Sequence, residues 1–151
     1  MALDLSLEIS TERSEEEILG IILRVEGFHK ADEVLCFWTS GLYGGVRSKD
    51  KISQEILQEE VGILANMKVW CRIDFDDYDA GMRNGLRAFM TILQHESGNA
   101  VIRLNGDDIK LLRIDGKVVL NSNSFSENEH ALWKFNDVPF SYETRELNVS
   151  I

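Results

Sequence analysis

The sequence predicts a single α+β domain: a mainly antiparallel sheet with a three-stranded meander in its C-terminal half, and three to four helices. Three observations carry that prediction. Stretches of period-two alternation recur along the chain with helical periodicity between them. The dipeptides Asn105-Gly106 and Asp115-Gly116 each separate two strand-like runs by two residues of the types that tight hairpins demand. The 151 residues are 44% apolar and 28% charged, the balance of one globular domain of this length. With 11 Gly, one Pro and no repeated or low-complexity segment, residues 1–151 read as one unit.

The elements follow in order. Residues 2–10 place Leu3, Leu5, Leu7 and Ile9 on one face and Asp4, Ser6, Glu8 and Ser10 on the other, the pattern of a half-buried strand. Ser14 and Glu17 are spaced as a capping box, and the acidic first turn suits the helix dipole. Ile18, Ile21, Ile22 and Val25 form the inward stripe of that helix, expected to run about three turns to the neighbourhood of Gly27. The stretch EVLCFWTS is apolar at consecutive positions, which predicts burial on both faces and a central place in the sheet. SGLYGGV reads as a turn into a third strand over residues 42–47.

SQEILQEEVGI predicts a short acidic helix capped by Ser53, with Ile56, Leu57 and Val61 facing inward. Over residues 67–75, Met67, Val69, Cys71, Ile73 and Phe75 share one strand face, and Lys68, Trp70, Arg72 and Asp74 the other. The longest helix then starts at Asp77 or Asp79, buries Met82, Leu86, Phe89, Met90 and Leu93, and stops at Ser97 and Gly98. After the two hairpins, SFSENEHALWKF is expected to form a short helix, and the chain beyond Pro139 an extended edge segment.

Charge narrows the partners. Sixteen Lys and Arg against 26 Asp and Glu leave a formal charge of −10, a field that repels nucleic acid and anionic membranes and steers basic proteins inward. The apolar runs fall far short of the roughly 20 residues a bilayer span requires. Two cysteines, Cys36 and Cys71, suit a reducing compartment, so a cytoplasmic location is expected.

Catalytic constellations are thin. His29, His95 and His130 stand apart at no metal-binding spacing, Cys36 and Cys71 fall within strand patterns, and GLYGGVR has neither the P-loop nor the dinucleotide spacing. No cofactor, metal or catalytic residue is expected. The acidic run DFDDYD stands out, with Asp74, Asp76, Asp77 and Asp79. As a calcium loop it fails, because Tyr78 would occupy a ligand position and Gly85 the place of the bidentate Glu. It could still hold one Mg²⁺, could simply be an acidic helix start, or could present a negative patch to a basic partner together with Glu55, Glu59 and Glu60. Trp70, on the polar face between Lys68 and Arg72, is either an interface anchor or covered by a helix, and the covering helix is the expectation.

MALDLSLEIS, VWCRIDFDDYDAGMRNGLRAFMTIL, GNAVIRLNGDDIKLLRIDGKVVLN and VPFSYETRELNV, taken together and in this order, resemble the Sit-type immunity proteins of bacterial polymorphic toxin and contact-dependent inhibition systems. The resemblance implies a small cytoplasmic immunity-type domain over residues 1–151 that protects its cell from a toxin delivered by neighbours. It implies no enzymatic activity and a cognate toxin domain as partner. A basic toxin, such as a nuclease with a phosphate-binding groove, would meet an acidic inhibitor in a tight stoichiometric complex. Asp74, Asp76, Asp77, Asp79, Glu55, Glu59, Glu60 and Trp70 are the candidate contacts. A small α+β ligand-binding or regulatory interaction domain is the alternative, followed by a Mg-dependent enzyme using the carboxylates of Asp74 to Asp79.

Overall fold

The computed structural model describes residues 3–147. Within them the elements run β1 (Leu3–Ile9), α1 (Glu15–Leu23), β2 (His29–Lys30), β3 (Cys36–Thr39), β4 (Leu42–Ser48), α2 (Lys51–Val61), β5 (Met67–Ile73), α3 (Tyr78–His95), β6 (Ala100–Leu104), β7 (Asp108–Ile114), β8 (Lys117–Asn121) and β9 (Glu143–Arg145). All nine strands join one sheet in the order β2-β3-β4-β5-β1-β6-β7-β8-β9. Every pairing is antiparallel except β8 with β9. The α+β class, the antiparallel sheet and the C-terminal meander are as the sequence predicts.

The two hairpin turns form for the expected reason. Asn105 and Gly106 have φ of 55° and 81°, and Asp115 and Gly116 have 50° and 81°, the left-handed pairs that match a hairpin turn to strand twist. Ser14 closes the capping box of α1 with Glu17. That helix ends at Leu23 rather than near Gly27, and the chain passes through a turn before Gly27 adopts a φ of 89°.

α1 and α3 cover one face of the sheet. Ile18 and Ile22 of α1 and Leu86, Phe89 and Leu93 of α3 pack on Leu5, Leu7, Val69, Ile102 and Leu120. α2 covers part of the other face, where Leu57 joins Ile63, Val101, Ile109, Leu112 and Val119 in a smaller cluster. The second face of β3, β4 and β5 carries no such apolar cover.

This uneven cover explains several departures from the predicted pattern. The central strand is β1, fifth of nine, and its polar side is solvated only at Asp4: Ser6 and Glu8 are buried. β3, expected at the centre, lies one strand from the edge. Phe37 is buried beneath α1, but Trp38 is 46% exposed because no helix covers its side and only strand neighbours such as the His29 ring, 4.5 Å away, pack against it. Gly44 and Gly45 lie within strand β4, inside the predicted strand over residues 42–47. A Cβ at Gly44 would lie 2.7 Å from the Phe37 ring, so the close packing of β3 on β4 requires glycine there.

Local chemistry accounts for the others. Asp50, not Ser53, caps α2, its side chain accepting from the Ser53 amide at 2.7 Å. Ile56 points outward at 50% exposure and Val61 is half-buried, leaving Leu57 as the buried apolar residue of α2. Phe75 leaves β5 for a 3-10 turn over Phe75–Asp77, because Asp74 accepts from the Asp76 amide at 2.9 Å and bends the chain. SFSENEHALWKF forms no α-helix. An isolated bridge joins Ser126 to Lys134, and Trp133 is buried against Phe125 with its Nε1 donating to the Met82 carbonyl at 2.9 Å. β9 is the expected edge segment; its predicted continuation over 148–151, like position 2 of the first strand, lies outside the described residues.

Candidate functional site

The acidic run occupies one end of the sheet. Asp74 follows the last residue of β5, and its amide donates to the Gly41 carbonyl at 2.9 Å, which pins the run to the β3–β4 turn. Asp77 stands at the N-terminus of α3 without a side-chain capping bond, and Asp79 lies in the first turn. All four aspartates are exposed, and the positive end of the helix dipole favours their charges there. Asp74 and Asp76 border a shallow cleft of about 660 Å³ with Trp38, Tyr43, Arg72 and Phe75. Trp38 and Phe75 are 46% and 48% exposed, and aromatic residues are enriched at protein-binding surfaces. The Tyr43 hydroxyl donates to Glu33 at 2.6 Å, a bond that pushes its phenol pKa up.

The structure does not merge this run with the acidic helix. α2 joins β5 at Met67, whereas Asp74 follows Ile73, a strand length of about 20 Å away at roughly 3.4 Å per residue. Glu55 and Glu59 are exposed on α2, and Glu60 lies 3.7 Å from Arg103. Among the described residues no group of three or more His, Cys, Asp and Glu side chains is placed to hold a metal ion.

Trp70 lies midway along β5 on the face that α2 leaves open. The cleft beside it, about 430 Å³, is walled by strand and turn residues, so the expected covering helix is replaced by neighbouring strands. Gly45 is its partner on β4 and Ser6 its partner on β1. A Cβ on Gly45 would fall 2.7 Å from the indole. Trp70 is half-buried in consequence.

Around Trp70 the fold collects the basic residues that the sequence disperses. Arg47 stands directly opposite Lys68, Tyr43 opposite Arg72, and Ser6 opposite both Trp70 and Arg103. Behind them, Glu8 is buried between Lys49 and Arg103. Arg103 Nη2 donates to Glu8 at 2.6 Å and Lys49 Nζ bonds its other oxygen. Burial pushes the Glu8 carboxyl up, but the hydrogen bonds and charges of Lys49 and Arg103 outweigh it and hold the group below the usual range. Burial pushes the Lys68 ammonium down, and Arg47, Arg103 and Lys49 push the same way against Glu8. Sequence reasoning placed Lys68 and Arg72 on one face but had no signal to add Arg47 and Arg103, which come from other strands.

The two cysteines are shielded by position. Cys36 and Cys71 are buried, and burial pushes the Cys71 thiol pKa up. His29 and His130 are exposed, and His95 Nδ1 lies 2.8 Å from the Thr91 carbonyl at the end of α3. Among the described residues no helix is long and apolar enough to cross a membrane.

Comparison with known proteins gives one result. A family model described as SitI3-like matches residues 3–130, from β1 through the meander into the loop beyond it. No curated protein and no solved structure matches the chain. The family match covers strands β1 to β8 and all three helices, and the chain belongs to the SitI3-like family, as its resemblance to Sit-type immunity proteins implies.

Proposed function

We propose that this protein neutralises a cognate toxin domain by stoichiometric binding in the cytoplasm, with no chemical step of its own. Membership of the SitI3-like family carries the reading. The exposed aspartates Asp74, Asp76, Asp77 and Asp79, beside Trp38 and Phe75, support an acidic contact surface. Glu55 and Glu59 on α2 extend the same field from another direction, and the net charge of −10 steers a basic partner toward the molecule. A nuclease fits such a partner, because its substrate groove must be basic to hold phosphates. An inhibitor of this kind needs a rigid scaffold and a matched surface, not a reactive group.

Co-expression with the toxin domain encoded beside this chain tests the reading. Cell survival and a co-purifying equimolar complex are expected. Cell death despite a folded chain and an active toxin would overturn it. Within a complex, reversing Asp76, Asp77 and Asp79 to Lys should slow association and flatten its salt dependence; unchanged kinetics would remove the acidic end from the interface.

A further inference from the structure

The open face of the sheet has the opposite charge to the molecule as a whole. Arg47, Lys68, Arg72 and Arg103 line the Trp70 cleft against one carboxylate, that of Asp4, in a chain of net charge −10. Three of the four are poorly compensated. Among the described residues Arg47 and Lys68 have no carboxylate within 4.0 Å, and Arg72 reaches Asp4 only at 3.9 Å on the surface. Arg47 and Lys68 are also a direct cross-strand pair, and like charges at such positions destabilise a sheet. Arg103, nine-tenths buried, is paired with Glu8, but its Nε has no hydrogen-bond partner. Gly45 leaves the room that the Trp70 indole occupies over β4, and Ser6 is the small residue on its other side.

We infer that this face docks a short acidic segment of a protein partner. Trp70 is the apolar anchor, and Arg47, Lys68 and Arg72 pair the incoming carboxylates. A carboxylate seated between Arg47 and Lys68 would relieve the repulsion that the free chain carries. Trp38 and Tyr43, on the same face, continue the apolar strip. The length of the ligand follows from the boundaries. Glu60 lies at the α2 side and Asp74 and Asp76 at the other end, so a polyanion running past the cations would meet carboxylates. That geometry favours a few side-chain carboxylates over a nucleic-acid backbone. The inference concerns a different surface from the acidic end and does not depend on the toxin reading.

An NMR titration of the full chain with a hexaglutamate peptide at low ionic strength tests it. The indole signal of Trp70, assigned with Trp70→Phe, is expected to move. That of Trp133, buried and bonded to Met82, serves as the fixed reference. The variant Arg47→Ser/Arg72→Ser, altered at two exposed positions, should fold and bind about tenfold more weakly. A Trp70 signal that stays still, or a shift undiminished in the double variant, would overturn the inference. So would a hexalysine peptide that moves Trp70 equally, or an oligothymidylate of matched charge that binds this face more tightly than the peptide. If no complex with the toxin domain forms, the proposed function fails while the titration still decides this one.

Discussion

The backbones of Gly41 and Gly81 meet so closely that a methyl group on Gly81 would fall 2.2 Å from the Gly41 carbonyl oxygen. The first turn of α3 is thereby pressed onto the β3–β4 turn, and the acidic run between β5 and α3 is held at one end of the sheet. Gly81→Ala should force the helix away at a cost of roughly 1–3 kcal/mol. Gly20, in the middle of α1, has nothing within 4 Å of where a Cβ would stand. Gly20→Ala should therefore stabilise by roughly 0.5–1 kcal/mol. Thermal melts of the two variants should move in opposite directions, and equal shifts would contradict the packing of α3.

Glu8 should make the protein acid-sensitive. Its folded pKa lies below the ordinary glutamate value of 4.5. Its stabilisation is therefore fully present above that value and is lost as pH falls through the folded pKa. Glu8→Gln leaves Lys49 buried without a countercharge and Arg103 with only the exposed Glu60 at 3.7 Å, and should cost about 3 kcal/mol at neutral pH. Urea unfolding should show the gap between wild type and variant narrowing as pH falls from roughly 5 to 3.

Arg113 closes the C-terminal end of α3. Its Nη1 donates to the Leu93 carbonyl at 2.8 Å, its Nε to Gly98 at 2.9 Å, and its Nη2 to the Glu96 carbonyl. A guanidinium suits this place because its fork reaches several carbonyls at once and complements the negative end of the helix. Arg113→Met should cost at least about 2 kcal/mol, with Arg113→Lys recovering only part of it. Amide exchange at the last turn of α3 should accelerate in both variants.

The cap of α2 separates two neighbouring residues. Asp50→Ala should lower the melting temperature and loosen the first turn of α2, because the Asp50 side chain accepts from the Ser53 amide. Ser53→Ala should do neither, since the amide of Ser53, not its hydroxyl, makes that bond. A larger effect at Ser53 would reverse the assignment.

The acidic end was legible in the sequence because Asp74, Asp76, Asp77 and Asp79 are neighbours in the chain. No tertiary contact is needed to gather them. The basic face was not legible. Arg47 comes from β4, Lys68 and Arg72 from β5, and Arg103 from β6. A shift of one residue in any of those strands would turn its cations to the other side of the sheet. Glu8 reads as a solvated polar residue in an alternating strand, and it becomes a buried ion because β1 is central and α2 crosses that side.

Local chemistry in the sequence determined the hairpin turns at Asn105-Gly106 and Asp115-Gly116, the capped start of α1 at Ser14, the buried stripe of α3 and the family to which the chain belongs. The structural ones depend on nearby residues, through a dihedral preference, a side-chain cap or a hydrophobic period, and the family on a pattern running through residues 3–130. Tertiary structure alone decided that β1 is the centre of the sheet, that Trp38 and Trp70 stay partly uncovered, and that four cations surround one indole. Those outcomes turn on which distant element covers which face of the sheet, and burial of that kind is set by packing across the whole molecule rather than by any short stretch of residues.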